Sequence, residues 1–435
     1  MTSQSGQDDV IAVSQARRTL AQTGAAHDSR GSKRRTEAAR ADVSLRQNTR
    51  LTLADVAAAH NSTGQVHTKV IDSIMELIPG LPDDLGLECL IRTPHDHFSS
   101  VSSVCQRWKS EILLPEFWIH RKLAGLSQRV VVMLQARVDP THIITVPKAT
   151  TRSSINPVCR LTICEPETGK WSELPPVPGY SDGLPIFCQL AGVGLNLVVM
   201  GGWNPVTWQV SNAVFVYDFV SATWKRGADM PGGPRSFFAC ASDFDRTVFV
   251  AGGHDNEKNA LRSLLVYDVA KDEWIQLVDM AMDRDECKGV FYAGKFHVIG
   301  GYDTEMQGQF STSAEAFDVA TWQWDHEVQN DFLETATCPN TCVDCGDGKL
   351  YMRRSDDVVA RKSSTWQAVA ELPAEVRSST TYMTAWQDKM FVIGSPRFGE
   401  AHKAYVLNLK DYTWAKMEMP EEYTGHVQSG CWFDI

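Results

Sequence analysis

Six tryptophans, Trp171, Trp224, Trp274, Trp324, Trp366 and Trp414, stand 53, 50, 50, 42 and 48 positions apart, and this near-constant interval constrains the fold more than any other feature of the chain. A period near 50 marks a repeat architecture, in which one supersecondary unit recurs and buries its apolar face against its neighbours. Seven residues before three of these tryptophans stands an aromatic-Asp pair, Tyr217-Asp218, Tyr267-Asp268 and Phe317-Asp318; the other three repeats carry worn variants. Ahead of those pairs, β-rich runs end in twin glycines, LVVMGG, VFVAGG and FHVIGG, and in later repeats the glycines decay to Arg354-Ser355 and Gly394-Ser395.

This pattern resembles the kelch repeat, and with strands throughout it implies a propeller of four-stranded blades. Six tryptophans predict six blades across residues 128 to 435. The first repeat lacks an opening strand before Arg129, whereas an orphan strand, 426 to 434, follows the last. Pairing the two closes the ring and removes an exposed sheet edge. The repeated residues serve packing: glycines permit close backbone approach, Tyr-Asp ends a strand in a turn, and Trp covers the neighbouring blade.

The stretch CPNTCVDC, with Cys338, Cys342 and Cys345, has a spacing suggestive of a metal site. It falls where blade five needs its inner strand, aligned with SFFACAS of blade three, and no Cys or His nearby in sequence offers a fourth ligand. It is expected to be a core strand, with no metal and no cofactor. The eleven cysteines are odd in number and several, Cys164, Cys188, Cys240 and Cys287, lie in apolar runs, so reduced buried thiols are expected.

No aromatic ring side chain of Phe, Trp or Tyr precedes Phe98, and residues 1 to 70 carry 10 Lys/Arg against 6 Asp/Glu, a composition that predicts a disordered basic tail. Its Arg30 to Arg35 run reads as a solvated basic patch, with nuclear import as the alternative. The net charge of −11 therefore leaves −15 on the remainder, which argues against nucleic-acid binding by the main domain. With no signal peptide and no apolar run of membrane length, the expected location is cytoplasmic, nuclear or both, away from membranes.

Between 74 and 122 the pattern turns helical. Pro82, Asp83 and Asp84 start one helix, which Pro94 closes; Phe98, Val101, Cys105, Trp108 and Ile112 form a continuous stripe at spacings of 3, 4, 3 and 4 on a second; Pro115 opens a third. Leu81-Pro82-x-Asp84-Leu85, Cys89-Leu90-Ile91-Arg92, Ser103-Val104-Cys105-x-x-Trp108 and Pro115-x-Phe117 together resemble the F-box. The resemblance implies that Leu81, Pro82, Leu85, Leu90, Ile91, Val104, Cys105 and Trp108 dock on the Skp adaptor of a cullin-type ubiquitin ligase. Thr93-Pro94 stands where many members have Leu-Pro.

A small all-α F-box followed by an all-β propeller is similar to the plant kelch F-box family. That resemblance implies a non-catalytic substrate receptor, with targets such as phenylalanine ammonia-lyase or transcriptional response regulators. The candidate target face comprises the loops after the glycines, with Trp203, His254, Tyr302 and Arg397, and the blade-to-blade connections, with Arg235, Arg284 and Arg377, because aromatic and Arg side chains around a ring suit protein binding. Residues 137 to 156 form a long loop on blade one. Two alternatives stand beside the receptor: a kelch scaffold unconnected to ubiquitin, and a propeller oxidase or sialidase, whose His or Arg-Tyr-Glu sets the repeat positions do not supply.

Overall fold

The computed structural model describes residues 76–137, 158–181, 183–204, 207–362 and 364–435. The tail with its Arg30 to Arg35 run, and nearly all of the long blade-one loop, lie outside these residues.

Among the described residues, six four-stranded antiparallel sheets are arranged as blades. Blades two to six are each built from consecutive strands; blade two, for instance, runs Gln189–Val193, Asn196–Met200, Val214–Asp218 and Thr223–Gly227 from axis to rim. Blade one takes its inner strand from Val427–Asp434, which pairs antiparallel with Arg129–Ala136, followed by Cys159–Glu165 and Lys170–Glu173. This is the ring closure expected from the orphan strand. Each inner strand touches the inner strand of the next blade, round to the first.

The six repeat tryptophans do the same work at the rim. Each indole N–H donates to a backbone carbonyl of the preceding blade: Trp171 to Glu418, Trp224 to Pro175, Trp274 to Ala228, Trp324 to Val278, Trp366 to Phe332 and Trp414 to Glu371, at 2.7 to 3.0 Å. The bond from Trp171 joins blade one to blade six, so the outer belt closes as the inner one does. The Asp of the aromatic-Asp pair turns the chain, Asp218 accepting from the Val220 amide at 2.8 Å and Asp318 from the Ala320 amide at 2.8 Å. Gly202 shows why the glycines recur: its φ is +89°, and a Cβ there would lie 2.8 Å from both the Ile186 carbonyl oxygen and the Cys188 amide.

In blade five the inner strand is only Val343–Asp344. Cys342 and Cys345 flank it and are buried, and burial pushes each thiol up to about 12. Among the described residues no three His, Cys, Asp or Glu side chains converge on one point. Cys164, Cys188 and Cys287 are buried as expected, and Cys240 is half-buried.

The helical part comprises α1 (Asp83–Ile91), α2 (Phe98–Ser102), α3 (Gln106–Ile112) and α4 (Pro115–Leu123). The continuous second helix expected from the 3-4-3-4 stripe is broken in two. The Ser102 and Ser103 hydroxyls donate back to the carbonyls of Ser99 and Ser100, and Cys105 turns extended (φ −158°, ψ 164°) to cap α3, its sulfur accepting from the Trp108 amide at 3.5 Å. Short polar side chains thus compete with the backbone just where the apolar spacing called for continuity.

Candidate functional site

The helices sit on the propeller face formed by the strand ends of blades one and two. Leu90, Ile91, Phe98, Ile112 and Phe117 share one apolar core with Val130, Val132, Phe219, Val220, Phe433 and Ile435. At its centre Arg121, 1% exposed, donates to the Thr93 carbonyl at 2.7 Å, to Gln128 Oε1 at 3.0 Å and to the Ile435 carbonyl at 3.2 Å, and it also bonds the Ile91 carbonyl. Burial lowers this guanidinium to about 10, with Asp434 opposing the shift. Around it His95 Nε2 lies 3.1 Å from Glu165 Oε1, and Lys170 Nζ lies 2.7 Å from Asp96 Oδ2. None of Arg121, Gln128, His95 or Glu165 was expected to matter, because nothing local in sequence signals a contact made across 314 residues.

Of the residues expected to meet an adaptor, Pro82, Leu85, Val104 and Cys105 are exposed, and Leu81 and Trp108 are half-buried. Trp108 donates its indole N–H to the Leu77 carbonyl at 2.6 Å. Leu90 and Ile91 must be corrected: at 3% exposure each they belong to the joint with the propeller and offer no surface to a partner. Leu113, Leu114, Ile119 and Leu123, which the sequence reading did not single out, are exposed large apolar side chains on or beside α3 and α4.

The opposite propeller face carries the loops after the glycines. Here most expected contact residues are buried. Arg284, 1% exposed, pairs with Glu315 Oε1 at 3.0 Å and bonds the Gly300 carbonyl at 2.7 Å and Ser313 Oγ at 2.8 Å. Arg235, 2% exposed and lowered to about 10 by burial, bonds Ser263 Oγ at 2.9 Å. These two guanidiniums fasten the glycine turn of their own blade, so their charge does not reach a partner. Arg377 is held by the Leu372 carbonyl at 2.8 Å and by Glu371 Oε1 at 2.6 Å, and is partly exposed. Arg397 is exposed.

Trp203, His254 and Tyr302 are also largely buried, each bridged across to the start of its blade at Ile186, Ser236 and Asp285. His254 joins two blades: Ser236 Oγ lies 2.9 Å from its Nε2 and Asp285 Oδ2 lies 2.9 Å from its Nδ1. The Ser-His-Asp order has the connectivity of a hydrolytic triad, but Ser236 has no exposed surface at all. The three side chains act as a latch between blades three and four. The residue after each bridge, Phe187, Phe237 and Glu286, has a positive φ (62°, 54° and 51°), a repeated feature that the sequence reading missed.

Against this geometry, the F-box domain model matches residues 78–120 and the Kelch motif model matches 187–231 and 234–281. The F-box/kelch-repeat protein At1g15670 of Arabidopsis thaliana is 49% identical over 363 residues, which cover 83% of this chain and 100% of that protein. This chain is an F-box/kelch-repeat protein. A second Arabidopsis thaliana member, At1g80440, is 46% identical over 368 residues, again 83% of this chain and 100% of its relative, while SKIP20 is 35% identical over 57% of this chain and 66% of its own length. The F-box/kelch-repeat architecture thus extends over helices and propeller together. Among the described residues no helix is long and apolar enough to cross a membrane.

Proposed function

We propose that this F-box/kelch-repeat protein is the target-recognition subunit of a Skp-cullin-F-box ubiquitin ligase, working in the cytoplasm, the nucleus or both. The observation that carries this reading is the arrangement of the two faces. An exposed apolar set around Leu85, Val104 and Leu123 lies on helices fixed to one side of the propeller, and the glycine-turn loops lie on the other. A Skp-type adaptor covers the first and leads to the cullin, and a target protein occupies the second. The rigid joint at Arg121 holds the target at a set distance from the ligase core. From the family resemblance, phenylalanine ammonia-lyase and transcriptional response regulators are the first targets to test.

The experiment has two arms. Leu81→Ala with Pro82→Ala, and separately Leu85→Asp with Val104→Asp, should abolish copurification of the adaptor and leave the propeller's melting curve unchanged; undiminished adaptor capture by both pairs refutes the docking surface. Cycloheximide-chase half-lives of candidate targets, with and without a proteasome inhibitor, should shorten when this protein is overproduced. Half-lives indifferent to its level across the proteome refute the receptor role.

A further inference from the structure

The charge of the target face differs from what its arginines suggest. With Arg235 and Arg284 buried, the exposed charges on the blade-three and blade-four side are Glu257, Asp279, Asp283, Asp303 and Glu305. Arg262, the exposed cation among them, lies 3.9 Å from Asp279 and 4.0 Å from Asp283 and is offset by them. On the other side, Arg377 is paired with Glu371 and Arg354 with Glu334. The blade-three and blade-four side is thus an acidic crescent; beside it Arg377 and Arg354 are locally neutralised, whereas Arg397, on the blade-six loop, is exposed.

Two further observations concern the inner edge of that crescent. Phe187, Phe237 and Glu286 occupy one repeat position in blades two, three and four and are all in the left-handed backbone region, which costs about 1 kcal/mol or more for each L side chain. Paying that strain three times at the same place sets a row of side chains where the inner strands begin, the rings of Phe187 and Phe237 being 4.9 Å apart and Glu286 Oε1 3.0 Å from the Tyr302 hydroxyl. Beside the row, Trp203, nine-tenths buried at 9% exposure, has an indole N–H with no hydrogen-bond acceptor among the described residues. A buried donor left so is costly, and a peptide carbonyl is the acceptor that would satisfy it.

We propose that this inner edge captures a cationic extended segment of the target: an Arg or Lys side chain lies over Phe187 and Phe237 and ion-pairs with Glu286, a segment carbonyl accepts from Trp203, and the acidic rim steers the approach. The inference rests on the receptor reading and adds the chemistry of what is received. Cation-aromatic contact beside a carboxylate is a favourable setting for a guanidinium.

The test uses the full chain bound to its adaptor and three fluorescein-labelled octapeptide libraries of equal length: one enriched in Arg and Lys, one in Asp and Glu, one in Gln and Ser. Polarisation titrations should show binding of the cationic library alone, weakening as salt rises. Glu286→Gln should reduce affinity about tenfold and Asp303→Asn with Glu305→Gln should flatten the salt dependence. The rim pair, which is exposed, keeps the test valid if Glu286→Gln fails to fold. Preference for the acidic library, binding by none of the three, or unchanged titrations in both variants overturns the proposal. Adaptor capture measured on the same samples separates the outcomes: its loss in the wild-type chain counts against the receptor reading itself, and its retention confines any failure to the cationic segment.

Discussion

Burial decides what each conspicuous side chain does. Arg284 and Leu90 look like surface contacts in the sequence, one for its charge and one for its place in the F-box pattern, yet both lie inside. Leu90→Ala should therefore destabilise the fold by about 2 to 5 kcal/mol, read as a lowered denaturant midpoint, whereas the exposed Val104→Ala should leave that midpoint unchanged and affect adaptor binding alone. His297 and His402 are buried with both ring nitrogens lacking acceptors or donors among the described residues, and burial depresses each to about 4. A histidine that is neutral when folded must be protonated more readily when unfolded, so the unfolded chain gains protons first as pH falls. Their contribution is complete above about pH 6.5 and is lost toward pH 4, at about 1.4 kcal/mol per pH unit for each site. The fall in melting temperature between neutral pH and pH 5 should be shallower in His297→Gln and in His402→Gln than in the wild type; equal slopes would show that neither ring is held neutral.

The blade is an element whose edges are fastened to its neighbours. The rim tryptophans each add one inter-blade hydrogen bond to the packing of a large ring, so Trp324→Phe, which keeps an aromatic ring and deletes the N–H to Val278, should cost about 1 kcal/mol. Trp366→Ala, at the most buried of the six, should cost about 3 to 5 kcal/mol. Removing residues 425 to 435 strips the inner strand of blade one and also Phe433 and Ile435 from the core shared with the helices. That truncation should lose cooperative unfolding and lose adaptor capture together; an unchanged melting curve would mean that the ring closes elsewhere.

At the scale of the whole molecule, helices and propeller behave as one body because they share an apolar core and the Arg121 network. Linker-joined domains of this kind ordinarily melt apart, since interfaces within a chain are small and polar. Here calorimetry should show a single transition over both parts, and Arg121→Met, which deletes hydrogen bonds to four backbone and side-chain acceptors, should split it into two. Two transitions already in the wild type would mean that the joint is weaker than its contacts suggest. The rigid joint and the opposite placement of the two faces also make reach a fixed property, so lengthening the chain between Leu126 and Arg129 should impair ubiquitin transfer before it impairs either binding step.

The number of blades, the closing strand and the turn residues were legible from the sequence, because each follows from a local signal repeated at a fixed interval: a Trp, an aromatic-Asp pair, a pair of glycines. Repetition averages out the ambiguity of any single strand, and the F-box was legible for a related reason, four short blocks kept in order. The sites were less so. Arg235, Arg284, His254 and Tyr302 recur at loop positions that sequence marks as exposed, and only the approach of neighbouring strands shows that they face inward and satisfy carbonyls and carboxylates there. Of the left-handed Phe187, Phe237 and Glu286 only the first two share a residue type, so the equivalence of all three is a fact of backbone geometry and not of composition. The interval between tryptophans determined how many sheets form and how they close. Which side chains are left to meet another molecule, and with what charge, was decided by long-range packing, because burial depends on what arrives from hundreds of residues away.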